Sequence, residues 1–140
     1  MEELRLLLEN DPHEVSKAAN LVQELGERYA WGSQTIFDIQ LALEEVLVNV
    51  ISYAFDDQER HEIEVTIATD PASIIIRVTD DGKPFNPLEA PAPDLEKPIE
   101  ERPIGGLGIY LVRRTVDSLD YSRHENRNVL TLVKNLGRSK

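Results

Sequence analysis

The spacing of apolar residues changes period along the chain, and each change marks an element. Leu4 to Leu8 is a short apolar run that predicts a strand. Asp11-Pro12 then reads as a helix start, with an acceptor side chain at the cap and a ring pre-set to helical φ behind it. Val15, Ala18, Ala19, Val22, Leu25 and Tyr29 follow at helical spacing. Gly32 and Ser33 break that helix and open a second, predicted from about Ser33 to Phe55, on which Ile36, Ile39, Leu43, Val46, Leu47 and Val50 form a broad apolar face. From Glu62 the period drops to two. Ile63, Val65 and Ile67 alternate with Glu62, Glu64 and Thr66, and Ile74, Ile76 and Val78 alternate with Ile75, Arg77 and Thr79. Asp70-Pro71-Ala72-Ser73 between them is turn chemistry, so the stretch predicts an antiparallel hairpin with one buried face.

Six of the eight prolines then fall between residues 84 and 103, which precludes regular structure and predicts a long loop. Gly105 to Gly108 leads into a predicted third helix from about Leu107 to Asp117. Two strands close the pattern, Leu119 to His124 and Val129 to Val133, with Asn126-Arg127-Asn128 as the turn. These strands are needed to finish a sheet, so the proline-rich stretch is expected to be a loop within one domain spanning residues 1–140.

Composition narrows the function classes. The chain has 140 residues, 41% hydrophobic and 29% charged, which suits a globular domain with a real core. A net charge of -11 argues against a nucleic-acid or anionic-membrane partner, both of which require a basic face. There is no cysteine, which excludes disulfides, thiol catalysis and cysteine metal sites. The acidic N-terminus lacks the apolar run of a signal peptide, and no window reaches the ~20 apolar residues of a membrane span, so a cytoplasmic location is expected.

Three short motifs carry candidate chemistry. Glu45 and Asn49, four apart, share one helix face with Ser52. An amide inside V-L-V-N-V-I is either hydrogen-bonded or faces a cleft, and its carbonyl oxygen is a suitable hard ligand for Mg²⁺. Glu45 stands one turn away as a candidate base. Asp80, Asp81 and Gly82 follow a strand, where a buried carboxylate can accept the exocyclic amine of adenine and a glycine lets backbone and base approach. Gly105, Gly106 and Gly108 precede a helix, where free N–H groups and the helix dipole suit phosphate. Taken one at a time, these motifs are equally a capping Asn, a turn with two solvated acids, and a glycine hinge. Lys83, Arg102, Arg113 and Arg114 flank the region, with surface charge as their ordinary role. His13, His61 and His124 make no metal spacing and read as solvated.

In this order the motifs resemble those of the GHKL ATPase superfamily, whose domain has the Bergerat fold. E-x-x-x-N at Glu45–Asn49 is similar to the N box, D-x-G at Asp80–Gly82 to the G1 box, and G-x-G at Gly106–Gly108, after a long loop, to the G2 box and ATP lid. D-D-G-K-P-F-N-P and G-G-L-G-I-Y-L-V-R-R resemble the compact bacterial anti-sigma-factor serine kinases in particular. The resemblance implies an α/β two-layer sandwich, a mixed and mainly antiparallel sheet with three helices on one face, with residues 84–104 as the lid. It implies ATP or ADP and Mg²⁺ as cofactors. Glu45 would be the general base, Asn49 the metal ligand, and Asp80 the adenine reader beside Gly82, with Asp81 its exposed neighbour. Phe85, Gly105, Gly106, Leu107 and Gly108 would line the nucleotide, and Thr131 would bring a hydroxyl near adenine. Pro84 stands where many members have a second glycine, a departure at the pocket edge. The implied partners are an anti-anti-sigma (STAS-type) protein and a sigma factor, with a homodimer as a further assembly. The alternatives are an ATP- or ADP-dependent binding module that transfers nothing, and an interaction domain without nucleotide.

Overall fold

A computed structural model describes residues 2–89 and 112–136. Five strands form one sheet: β1 (Glu2–Glu9), β2 (Glu62–Thr69), β3 (Ser73–Asp80), β4 (Ser118–His124) and β5 (Arg127–Asn135). Their spatial order is β1-β2-β3-β5-β4, and all four pairings are antiparallel, so the sheet is antiparallel throughout rather than mixed. Two long helices, α1 (Val15–Arg28) and α2 (Ser33–Tyr53), lie between β1 and β2 in the chain. Of the predicted third helix, residues 112–115 are helical, and its earlier part lies outside the described residues.

Alternation decides which face is covered. Ile63, Val65 and Ile67 of β2, Ile74, Ile76 and Val78 of β3, and Leu130 and Leu132 of β5 are buried in one cluster with Val22, Leu25, Leu43, Val46 and Leu47 of the helices. Residues of opposite parity form the other face, with Arg77 and Thr131 directly paired on it. The proposed cap at Asp11 is present: its carboxylate accepts from the His13 N–H at 2.9 Å and opens a 3-10 turn, Pro12–Glu14, that feeds α1. Asp70 closes the β2–β3 turn by accepting from the Ala72 and Ser73 N–H groups at 2.8 and 2.9 Å.

The β4–β5 turn differs from the sequence expectation. It consists of Glu125 and Asn126, both with positive φ (52° and 65°), which is the two-residue type I′ geometry that matches strand twist. Arg127 and Asn128 therefore belong to β5, and Asn128 is buried. No helix among the described residues is long and apolar enough to cross a membrane.

Candidate nucleotide site

The Asp80 corner is built where β3 ends beside β5. Asp80 and Asn128 are directly paired across the two strands, so both side chains point to the helix-covered face. Asp80 is 3% exposed, and its Oδ1 accepts from the Gly82 N–H at 2.8 Å and from Asn128 Nδ2 at 2.9 Å. No hydrogen bond from the described residues reaches Oδ2, which leaves that oxygen as an acceptor. Burial pushes the Asp80 carboxyl above the usual carboxylate range, and the bonds from Asn128 and Gly82 partly offset it.

Asn128 is the hub of this corner. Its Nδ2 also donates to the Lys83 carbonyl at 2.8 Å. Its Oδ1 accepts from the Phe85 N–H at 3.2 Å, the Tyr121 hydroxyl at 2.5 Å and Arg123 Nη1 at 3.1 Å. The same Arg123 nitrogen donates to the Gly82 carbonyl at 2.8 Å. Asn128 is not visible as a site residue in the sequence because an Asn in an N-R-N triplet signals a turn, and its register with Asp80 exists only in the folded sheet.

The corner is fastened to α2. A Cβ on Gly82 would stand 2.3 Å from the Ala54 carbonyl oxygen, so only glycine fits this approach. That same carbonyl accepts from the Lys83 N–H at 2.9 Å, and Lys83 Nζ reaches Asp56 at 3.0 Å. The Tyr53 and Phe85 rings lie 5.8 Å apart. Lys83 is thus held in an ion pair, and Arg113 Nη2 donates to the Leu88 carbonyl at 2.5 Å.

Asn49 sits one turn before Tyr53. It is 5% exposed, and its Nδ2 is buried with no hydrogen-bond partner among the described residues. A buried amide in this state is costly unless a ligand or ordered water completes it. The other such atom, Trp31 Nε1, belongs to the turn between α1 and α2. Glu45, one turn earlier still, is half-buried, and burial followed by repulsion from Glu44 pushes its carboxyl above the usual range. Ser52 is exposed. The unmet Asn49 N–H fits a phosphate oxygen, and the carbonyl oxygen of the same amide is the donor type that a hard cation takes. Among the described residues no cluster of three His, Asp or Glu side chains could hold a metal.

Two expectations change. Thr131 pairs with Arg77 on the sheet face opposite Asp80, so its hydroxyl does not join the corner; Asn128 is the polar β5 residue that does. His61 is partly buried rather than freely solvated: its ring stacks on Phe55 with centroids 4.4 Å apart and contacts Asp57 and Asp81. Asp81 is exposed. Gly105, Gly106, Leu107, Gly108 and Arg102, with the 90–104 part of the lid, lie outside the described residues.

The chain is similar to several known kinases. It is 27% identical over 112 residues to the serine/threonine-protein kinase BtrW of Bordetella bronchiseptica, covering 80% of this chain and 79% of that one. It is 30% identical over 121 residues to the serine-protein kinase RsbW of Halalkalibacterium halodurans (84% and 73% covered), and 26% over 133 residues to that of Listeria monocytogenes (92% and 85%). In fold it superposes on the structure of the RsbU and RsbW domains of a Mycobacterium tuberculosis protein with a TM-score of 0.71 at 15% identity, covering 99% of this chain and 34% of that one. It also superposes on the histidine kinase domain of the Erythrobacter litoralis EL346 blue-light activated histidine kinase (TM-score 0.58, 17% identity, 91% and 61% covered). A family model described as the histidine kinase-like ATPase domain matches residues 8–134, and the chain belongs to that family.

Proposed function

We propose that this protein is an ATP- and Mg²⁺-dependent serine/threonine kinase that acts as an anti-sigma regulatory factor and phosphorylates an anti-anti-sigma partner. The carrying observation is the pair on α2: a desolvated Glu45 carboxylate one turn from a buried Asn49 amide with an unmet donor. The similarity to proteins named serine-protein kinase supports the choice of substrate group.

When bound, ATP supplies the transferable γ-phosphoryl group and Mg²⁺ neutralises charge on its oxygens. Asp80 Oδ2 would accept the adenine amine, with the Gly82 backbone beside the base. Asn49 would offer Oδ1 to the cation and its unmet Nδ2 to a phosphate oxygen. Glu45 accepts the hydroxyl proton of the partner's serine, and its raised pKa makes it the stronger base. The phosphoserine product then carries added negative charge and is repelled by a protein of net charge -11, freeing this chain for a sigma factor.

Glu45→Ala tests the reading. Transfer of labelled γ-phosphate to an anti-anti-sigma protein should fall about 10²- to 10⁴-fold, the usual range for a general base, with ADP affinity retained in calorimetry. The wild-type rate should fall as pH drops through the raised Glu45 pKa, because only the ionised carboxylate accepts the proton. A wild type that binds nucleotide but labels no partner is instead a non-catalytic nucleotide-dependent module.

A further inference from the structure

His61 lies outside every motif above, yet it joins the two halves of the site. Its Nε2 is 2.9 Å from both oxygens of Asp57, and its Nδ1 is 3.1 Å from Asp81 Oδ1. Asp57 belongs to the segment that leaves α2, and Asp81 follows Asp80. The ring is stacked on Phe55 at an interplanar angle of 15°. Its backbone is pinned separately: the His61 N–H donates to Asn10 Oδ1 at 2.9 Å, and its carbonyl accepts from the Asn10 N–H at 3.0 Å.

We infer that His61 is a positioning residue for the nucleotide site, clamping the exit of α2 to the Asp80 corner in its imidazolium form and releasing one side of the clamp when it loses a proton. The inference rests on the nucleotide reading of the pocket. Both ring nitrogens face carboxylate oxygens, carboxylates only accept, and a neutral imidazole has one N–H. Only the doubly protonated ring can donate to both sides. The hydrogen bond to Asp57 and the field of both aspartates hold the proton on the ring above its ordinary pKa.

The other charges near the ring balance. A cavity of about 320 Å³ beside it is lined by Arg5, Arg60 and Arg127 against Glu62, Glu64 and Asp80. Arg5 is paired with Glu64, and Arg60 reaches Glu9 at 3.5 Å. Asp57 and Asp81 in direct contact therefore set the titration. The mechanical consequence follows from the same neighbourhood: α2 carries Glu45 and Asn49, and the corner carries Asp80. Loss of the Asp81 bond leaves the Ala54–Lys83 and Asp56–Lys83 bonds, with the Tyr53–Phe85 and Gly82–Ala54 packing, to hold them in register.

The test measures ADP affinity, with Mg²⁺ present, from about pH 6 to about pH 9, a window around the ordinary imidazole pKa near ~6.5. Wild type and His61→Gln are compared as a ratio, so that titration of the nucleotide cancels. The variant should bind about fivefold more weakly at the acid end, within ordinary site-to-site coupling, and the ratio should approach one at the alkaline end. In wild type, imidazole NMR should show His61 titrating above the ordinary imidazole range, and ADP should raise its pKa further by reciprocity. The NMR arm needs no substitution. ADP binding with a flat ratio, or a His61 pKa unmoved by ADP, overturns the clamp alone. No ADP binding to wild type at any pH overturns the nucleotide reading, and the clamp with it.

Discussion

Asn49 and Asn128 are the same side chain at nearly the same burial, 5% and 3% exposed, and they are satisfied in opposite ways. Asn128 donates to Asp80 and Lys83 and accepts from Phe85, Tyr121 and Arg123. Asn49 Nδ2 has no partner among the described residues. A saturated amide is a structural fastener, because every bond it makes already contributes to the folded state. An unsatisfied one is a standing cost that a ligand can remove. The Asp80 corner is thus internally satisfied, while α2 carries one buried donor unmet among the described residues.

Four substitutions probe that contrast. Asn128→Leu should have the largest effect: it strips the buried Asp80 carboxylate and three donors of their acceptor or donor at once, costing about 3 kcal/mol. Chemical denaturation would read this as a lowered midpoint, and a change under about 1 kcal/mol would mean that the corner is not the fastener described. Asp80→Asn comes next. The new amide can keep its oxygen toward Gly82 and Asn128 but turns an N–H toward the adenine amine, so ADP binding should weaken about 10- to 100-fold, the worth of a charged hydrogen bond. Asp81→Asn should weaken it only a few-fold, and equal effects would reverse the assignment of the two acids. The Asp80 pKa is raised on folding, so the unfolded chain holds fewer protons on it and this group's contribution to stability falls as pH rises through that pKa. Asp80→Asn removes that burden and should not lower the melting temperature. Asn49→Leu is the smallest and the most diagnostic. It should raise the stability of the nucleotide-free protein by about 1 kcal/mol while abolishing the thermal shift produced by ADP and Mg²⁺. A destabilised variant would show that Asn49 is a fastener too.

Most of the scaffold was legible because its signals are local. Period-two alternation in β2 and β3 placed Ile63 to Val78 on the correct face, and Asp11-Pro12 marked the entry to the helices. Of the candidate site, the sequence displays the residues that sit in contiguous motifs, Glu45–Asn49 and Asp80–Gly82, whose roles belong to the proposal above. What failed depends on pairing between distant strands. Moving the β4–β5 turn to Glu125–Asn126 puts Asn128 in register with Asp80, a relation that no window of sequence displays. Thr131 then falls on the opposite face by parity alone. His61 was misread for a similar reason: its partners come from two separate loops, and only the folded chain brings Asp57 and Asp81 to its two nitrogens.

The bond between Asn128 and Asp80 spans 48 residues of chain. Closing so long a loop carries an entropic cost that must be met before its contacts repay it, and such pairings form late. During synthesis β3 emerges well before β5, so the corner cannot assemble until the C-terminal hairpin has left the ribosome and docked. Nucleotide capture by a growing chain would therefore report that the final sheet pairing is complete, and nucleotide held across α2 and the corner would stabilise the product of that last step rather than any earlier intermediate.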